Sequence, residues 1–337
     1  MKTYKAKLIV KTPTFVGSGK QYTRLDYIKQ KNVINVIDEE KFFKMLVTQR
    51  LDDEYERFVM KGKPSLIKFY NEHTMHKRLF DGCVKYKIGT NGLEPSNIAC
   101  FIRNSEDRPY IPGSSIKGAI RTAVLTEMIK DNLFDSFGET EKEKEECINR
   151  CNNYIMNGIS ISDTNSVNSN NLMLCDKNDV VIDGDINRIT AACKECLHPG
   201  TELSFTITVN EKLTEVKELL EYVKRAIKNF DDFYIKTYVD IFKERNNLSN
   251  NIFPIKTDYI ILGGGSGFFA KNLLYPMYGS EAVRKTAELL IADFKGHHHE
   301  DDVALGISPH CLKCTQTADS IVHFGICSIQ IGDEICI

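Results

Sequence analysis

The chain has 337 residues, a formal net charge of −2, and 42% hydrophobic and 27% charged residues. This length is sufficient for two domains or one elaborated domain with a sizeable core, and the composition is that of an ordinary globular protein. The near-zero net charge argues against bulk polyelectrolyte binding of nucleic acid, as by a basic tail, although a local basic face can still contact phosphates.

Eleven cysteines are spread through apolar surroundings. No secretory signal is apparent at Met1–Lys7, and no apolar run approaches the length that spans a membrane. We therefore expect a soluble protein with free thiols in a reducing, intracellular compartment.

The first elements are predicted from alternation and turn residues. Tyr4–Val10 alternates lysines with apolar residues, which predicts a strand with one solvent-facing side. A hairpin is predicted around Lys31-Asn32, and Asp38 is predicted to cap a helix. The apolar residues of that helix are Phe42, Phe43, Leu46 and Val47.

Gly17-Ser18-Gly19-Lys20 is predicted to form a glycine loop after the first strand. A Walker A motif requires glycine where Thr14 stands and Ser or Thr where Gln21 stands, so nucleotide hydrolysis is not predicted. A glycine loop beside Lys20 and Arg24 can still let a phosphodiester backbone approach closely. The alternative is a plain turn.

The stretch Tyr110–Arg121 is predicted to be a tight turn followed by a helix. Pro112 and Gly113 favour the turn, and Ser114 or Ser115 is expected to cap the helix. Three-to-four spacing predicts that the helix buries Ile116, Ala119, Ile120, Ala123 and Val124.

Lys117 and Arg121 lie four residues apart, on one face of this helix and away from its apolar stripe. A helix start with free amides, two hydroxyls and two cations suits a phosphate group. The alternative is a capped amphipathic helix with two solvated charges.

Other strands and helices are predicted on both sides of this stretch. Further strands are predicted at Cys83–Ile88, Asn97–Ile102, Ile159–Asp163, Glu202–Val209, Asp258–Leu262 and Ile321–Ile331. Helices are predicted near Glu54–Met60, Ser65–Tyr70 and Lys212–Arg245, the last broken near Asp231-Asp232. The charge run Glu139–Arg150 is interpreted as a solvated helix or a mobile insertion. The order of strands and helices in the first half of the chain repeats in the second half, which predicts an α+β fold of two ferredoxin-like βαββαβ units. The first unit, residues 1–165, carries a helical insertion, and the second, residues 166–337, carries a glycine-rich loop.

That glycine-rich loop is Gly263-Gly264-Gly265-Ser266-Gly267. Four glycines in five positions are costly in folding entropy and indicate close contact with another backbone. Phe268 and Phe269 can stack on bases or anchor the next helix, and Lys271 is a candidate phosphate contact.

Two cysteine pairs have the spacing of zinc knuckles. They are Cys193/Cys196, near His198, and Cys311/Cys314, near His310 and downstream of His297–His299. Cys193 falls in an apparent strand, and neither pair has the Gly or Pro typical of such knuckles. We therefore assign no metal.

No catalytic constellation is apparent. Asp26 and Asp163 are candidates for metal or acid–base chemistry, but the sequence places no partner beside either. His73, His76 and His323 are scattered and are interpreted as structural or exposed.

Three motifs, in this order, carry a family resemblance: Gly17-Ser18-Gly19, Ile111–Arg121 and Gly263–Gly267. Nearly the whole chain resembles the RAMP superfamily, the repeat-associated proteins of CRISPR effector complexes. Within that superfamily it is similar to the subunit of the type III-A (Csm) complex that caps the 3′ end of the guide RNA. The similarity includes Leu25-Asp26-Tyr27 and Pro199-Gly200-Thr201.

The resemblance implies a non-catalytic subunit that binds CRISPR RNA (crRNA), contributes to crRNA maturation and antiviral defence, and needs no cofactor. Its partners would be the 3′ region of the crRNA, the neighbouring backbone RAMP subunit and the small helical subunit, with target RNA close by. We expect it in the prokaryotic cytoplasm, without membrane contact. The residues expected to contact RNA are Gly17, Ser18, Gly19, Lys20, Arg24, Arg103, Ser114, Ser115, Lys117, Arg121, Gly263, Gly264, Gly265, Ser266, Gly267 and Lys271.

Two other functions stay open. The repeated backbone subunit of the same complex cuts target RNA with an aspartate that follows its first strand, and Asp26 has a comparable place here. The long insertion before Tyr110 departs from that subunit's pattern, so catalysis is not carried over. The alternative function is a metal-dependent or acid–base endoribonuclease acting on crRNA precursor or target RNA. A third is a protein scaffold that does not contact RNA.

Overall fold

The computed structural model describes residues 1–132, 140–214, 216–254, 258–317 and 320–335. The strands in these ranges are β1 (Lys2–Val10), β2 (Gly17–Tyr22), β3 (Tyr27–Gln30), β4 (Val33–Ile37), β5 (Val84–Gly89), β6 (Asn97–Phe101), β7 (Ile159–Ile161), β8 (Leu172–Val181), β9 (Ile186–Leu197), β10 (Glu202–Val209), β11 (Tyr259–Ile261), β12 (Cys311–Gln316), β13 (Ile321–His323) and β14 (Ile326–Glu334). The α-helices are α1 (Glu39–Gln49), α2 (Asp52–Val59), α3 (Leu66–Glu72), α4 (Lys77–Gly82), α5 (Gly113–Lys130), α6 (Glu141–Met156), α7 (Leu219–Tyr234), α8 (Asp240–Arg245), α9 (Leu274–Tyr278), α10 (Ala282–Asp293) and α11 (Asp302–Leu305). None of these helices has the length and apolar character needed to cross a bilayer.

A five-stranded sheet with the order β11-β14-β1-β10-β7 has antiparallel neighbours throughout. β1 lies at its centre because it pairs with β10 on one side and with β14 on the other. Ala6, Leu8 and Val10 are buried on one face of the strand, and Lys5 is exposed. Followed along the chain, β1, α5, β7, β10, α7 and β14 have the strand and helix order of a ferredoxin-like unit. α5 and α7 pack against each other and against strands of this sheet.

A six-stranded sheet with the order β13-β12-β8-β9-β6-β2 forms the second layer of strands. The pair β6–β9 is parallel, and the other neighbours are antiparallel. The long hairpin of β8 and β9 leaves the ferredoxin-like unit between β7 and β10 to form the middle of this sheet. β2 forms one edge of it.

The helices α1 to α4 form an insertion between β4 and β5 of a small sheet with the order β3-β4-β5. Their side chains form a separate hydrophobic cluster rich in aromatic rings, including Phe42, Phe69 and Phe80. Asp38 caps α1 as predicted, because its carboxylate accepts a 3.1 Å hydrogen bond from the Lys41 amide.

The predicted α+β class is confirmed, and the ferredoxin-like strand order is present. The sheets, however, do not divide between the two halves of the chain. Both larger sheets contain strands from before and after residue 165, because β1 pairs with β10 and β14, and β6 pairs with β9. The predicted boundary between residues 165 and 166 therefore does not coincide with a break between sheets.

Several local predictions need correction. Phe43 and Val47 of α1 are 54% and 63% exposed, so the apolar stripe of this helix is narrower than predicted. The helix predicted over Lys212–Arg245 begins only at Leu219, and its irregularity is a π-helical turn at Ile235–Val239. The last predicted strand is two strands, β13 and β14, separated by a turn at Gly325. The charge run Glu139–Arg150 begins at Glu139, which lies outside the described residues.

Candidate nucleic-acid interface

The helix of the central motif begins two or three residues earlier than a cap at Ser114 or Ser115 predicts. Pro112 is its extended N-terminal flanking residue and makes no side-chain capping bond, and Gly113 is its first residue. The prediction that Ser114 or Ser115 caps the helix is therefore wrong, since both serines lie within its first turn. Gly113 permits the early start because a β-carbon there would lie 2.2 Å from the carbonyl oxygen of Ile161.

Asp163 occupies the start of α5. Its Oδ1 atom accepts a 2.8 Å hydrogen bond from the Gly113 amide, so the chain's own carboxylate fills the position proposed for an anion. This contact gives Asp163, which the sequence offered as a metal or acid–base candidate, a structural role at the helix terminus.

In the part of the chain that the structure describes, each of the two cations of α5 contacts another segment. Lys117 Nζ donates to the carbonyl oxygen of Ile159 at 2.7 Å, and Arg121 Nε donates to Asn152 Oδ1 at 2.8 Å. Lys117 is half-buried, whereas Arg121 is exposed. A guanidinium has five N–H donors, so Arg121 keeps donors free for a phosphate.

The Gly17–Lys20 motif is an edge strand, not the predicted loop. It belongs to β2, whose pairing with β6 becomes irregular between Gly17 and Gln21. Gly19 has a φ of 81°, a left-handed conformation that glycine adopts without strain. Ser18 Oγ donates to the carbonyl oxygen of Cys100 at 3.2 Å, and Lys20 is exposed. The strand leaves these residues, and the exposed Arg24 beyond it, open to solvent.

The glycine-rich loop approaches another stretch of backbone, as predicted, and that stretch belongs to the same chain. The Gly264 amide donates to the carbonyl oxygen of Phe15 at 2.7 Å. A β-carbon on Gly263 would lie 2.1 Å from the same oxygen, and the φ of Gly263 is 81°. Ser266 is buried, and its Oγ donates to the carbonyl of Gly263 at 2.8 Å. The third motif therefore packs against Phe15, two residues before the first motif, where the chain enters β2.

Lys194 of β9, which the sequence did not single out, lies beside this junction. Its Nζ is 5.1 Å from the ring centroid of Phe15 and 5.8 Å from that of Phe324. A β-carbon on Gly265 would lie 3.0 Å from this ammonium, so glycine leaves space for it. Burial lowers the pKa of Lys194.

Lys271 follows the glycine-rich loop and also has a pKa lowered by desolvation, although the residue as a whole is exposed. Among the described residues, neither Lys194 nor Lys271 has a carboxylate oxygen within 4.0 Å. A partly desolvated ammonium without a carboxylate gains from any anion that reaches it.

The second motif and the segment that follows the third line a common cavity of about 560 Å³. Arg121 of α5, Lys142 of α6 and Lys271 all line it. Phe268 also lines this cavity, whereas Phe269 is buried and stacks on Tyr238 with ring centroids 4.5 Å apart. The interpretation of Phe269 as a buried anchor is thus confirmed.

Arg103 lies apart from these cations, with only 9% of its side chain exposed. Its guanidinium lies 4.0 Å from the ring centroid of Tyr86 and 3.6 Å from Oε2 of Glu195, whose side chain is fully buried. Its Nη1 donates to Ser169 Oγ at 2.9 Å. These contacts bind the guanidinium of Arg103 to interior groups, so Arg103 is poorly placed to bind a phosphate.

The cysteine pairs do not form the four-thiol site that their spacing allows. Cys193 and Cys196 lie in β9, and Cys311 and Cys314 lie in β12. Residues three apart in a strand point to opposite faces of the sheet, and β8 separates the two strands.

A family model of the RAMP superfamily matches residues 7–269. The chain belongs to the RAMP superfamily. This confirms the resemblance given by the three motifs, since residues 7–269 include all three in full.

Other RAMP proteins match along most of the chain. The CRISPR protein Csm5 of Streptococcus thermophilus is 28% identical over 296 residues, which cover 81% of this chain and 80% of that protein. Csm5 of Mycobacterium tuberculosis (strain CDC 1551 / Oshkosh) is 22% identical over 382 residues, with 98% of both chains covered.

Two solved structures share the fold. A chain of a cryo-EM structure of a Csm–crRNA–target RNA ternary complex from a type III-A CRISPR-Cas system superposes with a TM-score of 0.70 at 19% identity, covering 98% of this chain and 100% of that one. The crystal structure of T. onnurineus Csm5 gives a TM-score of 0.65 at 17% identity, covering 96% and 99%. At these identities the likeness shows the RAMP fold alone.

Proposed function

We propose that this RAMP protein is the non-catalytic, crRNA-binding subunit that caps the 3′ end of the crRNA in a type III-A (Csm) effector complex. The observation that carries the proposal is that the glycine-rich loop and the residues just after it connect the entry of β2 with α5. The glycine-rich loop touches the segment that enters β2, and Lys271, just beyond that loop, shares a cavity with Arg121 of α5.

The proposed RNA track runs along this junction. Exposed backbone at Gly17–Gly19 and the left-handed turns of Gly263–Gly267 allow close approach of a sugar–phosphate chain. Lys194, Lys271 and Arg121 supply positive charge along it. These groups donate hydrogen bonds to phosphate, and few of them can recognise a base. The guide RNA would therefore be bound through its backbone more than through its sequence.

The comparisons support a place in such a complex. A Csm5 protein matches nearly the full chain, and a chain of a Csm–crRNA–target RNA complex has the same fold. As the family resemblance implies, the proposal includes the neighbouring backbone RAMP subunit and the small helical subunit as partners, with target RNA nearby. It also includes crRNA maturation and antiviral defence as the cellular role, in the prokaryotic cytoplasm.

A non-catalytic role is favoured by the contacts of Asp26. Its Oδ2 accepts hydrogen bonds from the Thr23 amide at 2.6 Å and from Thr23 Oγ1 at 2.8 Å, so the carboxylate closes a local turn. Asp163 is bound to the start of α5. Neither aspartate lies beside a second titratable group that would act as its acid or base partner in a described contact.

The test removes two charges from the track. We expect Arg121→Ala with Lys271→Ala to weaken crRNA binding by roughly tenfold and to lower the slope of log affinity against log salt by about 1.4, because each lost phosphate contact with a single strand removes about 0.7. In the assembled complex, the crRNA should lose protection at its 3′ end. Filter binding across a salt series and sequencing of the bound RNA measure the two effects.

The matched control, Lys44→Ala with Lys61→Ala, removes the same charge from exposed positions of the helical insertion. Equal losses in the two double variants would contradict the track. The same incubations, run with and without Mg²⁺, also record RNA integrity. Cleavage that Asp26→Ala abolishes would replace the proposal by the endoribonuclease alternative.

A further inference from the structure

A second cavity, of about 690 Å³, is lined by the C-terminal histidines, and Phe268, which follows the glycine-rich loop, lines both this cavity and the first one. Behind His299 and His310, the carboxylate of Asp302 is fully buried between the two imidazoles. His299 Nδ1 is 3.0 Å from Asp302 Oδ2, and His310 Nδ1 is 2.5 Å from Asp302 Oδ1. This cluster has no part in the proposed RNA track.

The residues of the cluster are held by short, rigid connections. His299 lies in a 3-10 turn, Asp302 begins α11, and His310 directly precedes β12. The intervening Ser308 is tied to Tyr275: its amide donates to the Tyr275 hydroxyl at 3.0 Å, and that hydroxyl donates to the Ser308 carbonyl at 2.7 Å. The three side chains are therefore positioned before any ligand arrives.

Three side chains converge on the carboxylate of Asp302. Besides the two imidazoles, Ser308 Oγ donates a hydrogen bond to Asp302 Oδ2 at 2.5 Å. An ionised carboxylate only accepts hydrogen bonds, so each facing Nδ1 carries a proton in the metal-free protein.

The donor set matches a transition metal. The candidate ligand atoms of His299, Asp302 and His310 all lie within 4.8 Å of one another. Zinc–nitrogen and zinc–oxygen bonds of about 2.0–2.2 Å place neighbouring ligand atoms roughly 3–3.5 Å apart, close to the spacing already present. A cation would replace the two Nδ1 protons, and each neutral imidazole would move its proton to Nε2.

We propose that His299, Asp302 and His310 bind one divalent first-row transition ion, such as Zn²⁺, with its remaining coordination positions open to the cavity. Two imidazoles and one carboxylate are ligands that suit Zn²⁺ and its neighbours in the series. His297 supplies a further donor on the same cavity wall, and its ring lies parallel to that of His299 with centroids 6.2 Å apart.

The test uses the full chain, stripped with EDTA and kept reduced, and titrated calorimetrically with Zn²⁺. We expect one ion per chain, and a loss of affinity of at least tenfold in His299→Gln and in His310→Gln. Glutamine can still donate a hydrogen bond to Asp302, so both variants keep that contact. His76→Gln, in the helical insertion and outside the cavity, is the matched control and should bind as the unmodified chain does.

Two measurements on the unmodified chain decide the question even if a variant does not fold. Co²⁺ bound by imidazole and carboxylate should give visible ligand-field bands without a near-ultraviolet thiolate band. Zn²⁺ should also protect His299 and His310 from diethyl pyrocarbonate, mapped by mass spectrometry. A thiolate band, unchanged histidine modification, or equal affinity in wild type and His310→Gln would overturn the proposal.

Discussion

His323 is a fully buried imidazole in the interior beside α7. The distance from its Nε2 to the Tyr234 hydroxyl is 2.8 Å, and its Nδ1 lies 2.7 Å from the carbonyl oxygen of Phe324. A neutral ring satisfies both contacts, since Nδ1–H donates to the carbonyl and Nε2 accepts from the hydroxyl. Burial lowers the pKa of His323 from 6.5 to about 4, so the folded protein holds it uncharged.

This shift predicts acid sensitivity. Between pH 6.5 and about 4 the unfolded chain binds a proton at His323 that the folded chain does not, so stability is full above pH 6.5 and falls as the pH drops. The loss from pH 7 to pH 5 should be about 2 kcal/mol of unfolding free energy from this residue. Urea denaturation at the two pH values measures it. His323→Gln should flatten the profile and His76→Gln should not; a profile unchanged by His323→Gln would assign the acid sensitivity to other groups.

At the scale of one element, α5 shows how a glycine fixes where a helix begins. Gly113 and Gly118 belong to the same helix, but only Gly113 touches neighbouring backbone. A β-carbon on Gly118 would have no atom within 4 Å, and this residue is exposed.

The two positions therefore predict opposite effects of alanine. Gly113→Ala should destabilise the protein by roughly 2–4 kcal/mol, because the new methyl group would force α5 away from β7. Gly118→Ala should stabilise it by about 0.5–1 kcal/mol, the helix-propensity difference between the two residues. Thermal and urea unfolding of the pair give the comparison. A destabilised Gly118→Ala, or a neutral Gly113→Ala, would contradict the packing described for the start of α5.

Elements with a one-sided burial pattern could be predicted from the sequence. The predicted strand Glu202–Val209 coincides with β10, because its apolar residues alternate with exposed ones. β2 could not be recognised, since it is solvent-exposed along most of its length and has no apolar alternation. The prediction that a serine caps α5 failed for a different reason. The start of the helix is set by contacts with Ile161 and Asp163, some fifty residues away, and no local sequence pattern encodes those contacts.

At the scale of the whole molecule, the two sheets join distant parts of the chain. β1 lies between β10 and β14, so removal of the N-terminal residues would leave two unpaired edges inside the five-stranded sheet. This interleaving also explains why Lys194 was missed. Its partners, Phe15 and Phe324, are far from it in sequence and meet it only through the fold.

A fragment experiment tests the interleaving. Residues 166–337 expressed alone should show no cooperative thermal unfolding, because β10, β14 and β9 would lose partners from the first half. Co-expression with residues 1–165 should restore a cooperative transition. Circular dichroism of the separate and combined fragments checks both outcomes, and a cooperatively folding isolated fragment would support the division at residue 165.

The helical insertion has a practical consequence for following this protein in an assembly. It leaves β4 and returns to β5 at adjoining points, where the Asp38 amide donates to the Cys83 carbonyl at 2.8 Å. The turn at Lys61-Gly62 between α2 and α3 is exposed, and a β-carbon on Gly62 would meet no atom within 4 Å. A fluorescent reporter inserted at this turn would sit on a unit with its own core and leave the strands of both large sheets intact.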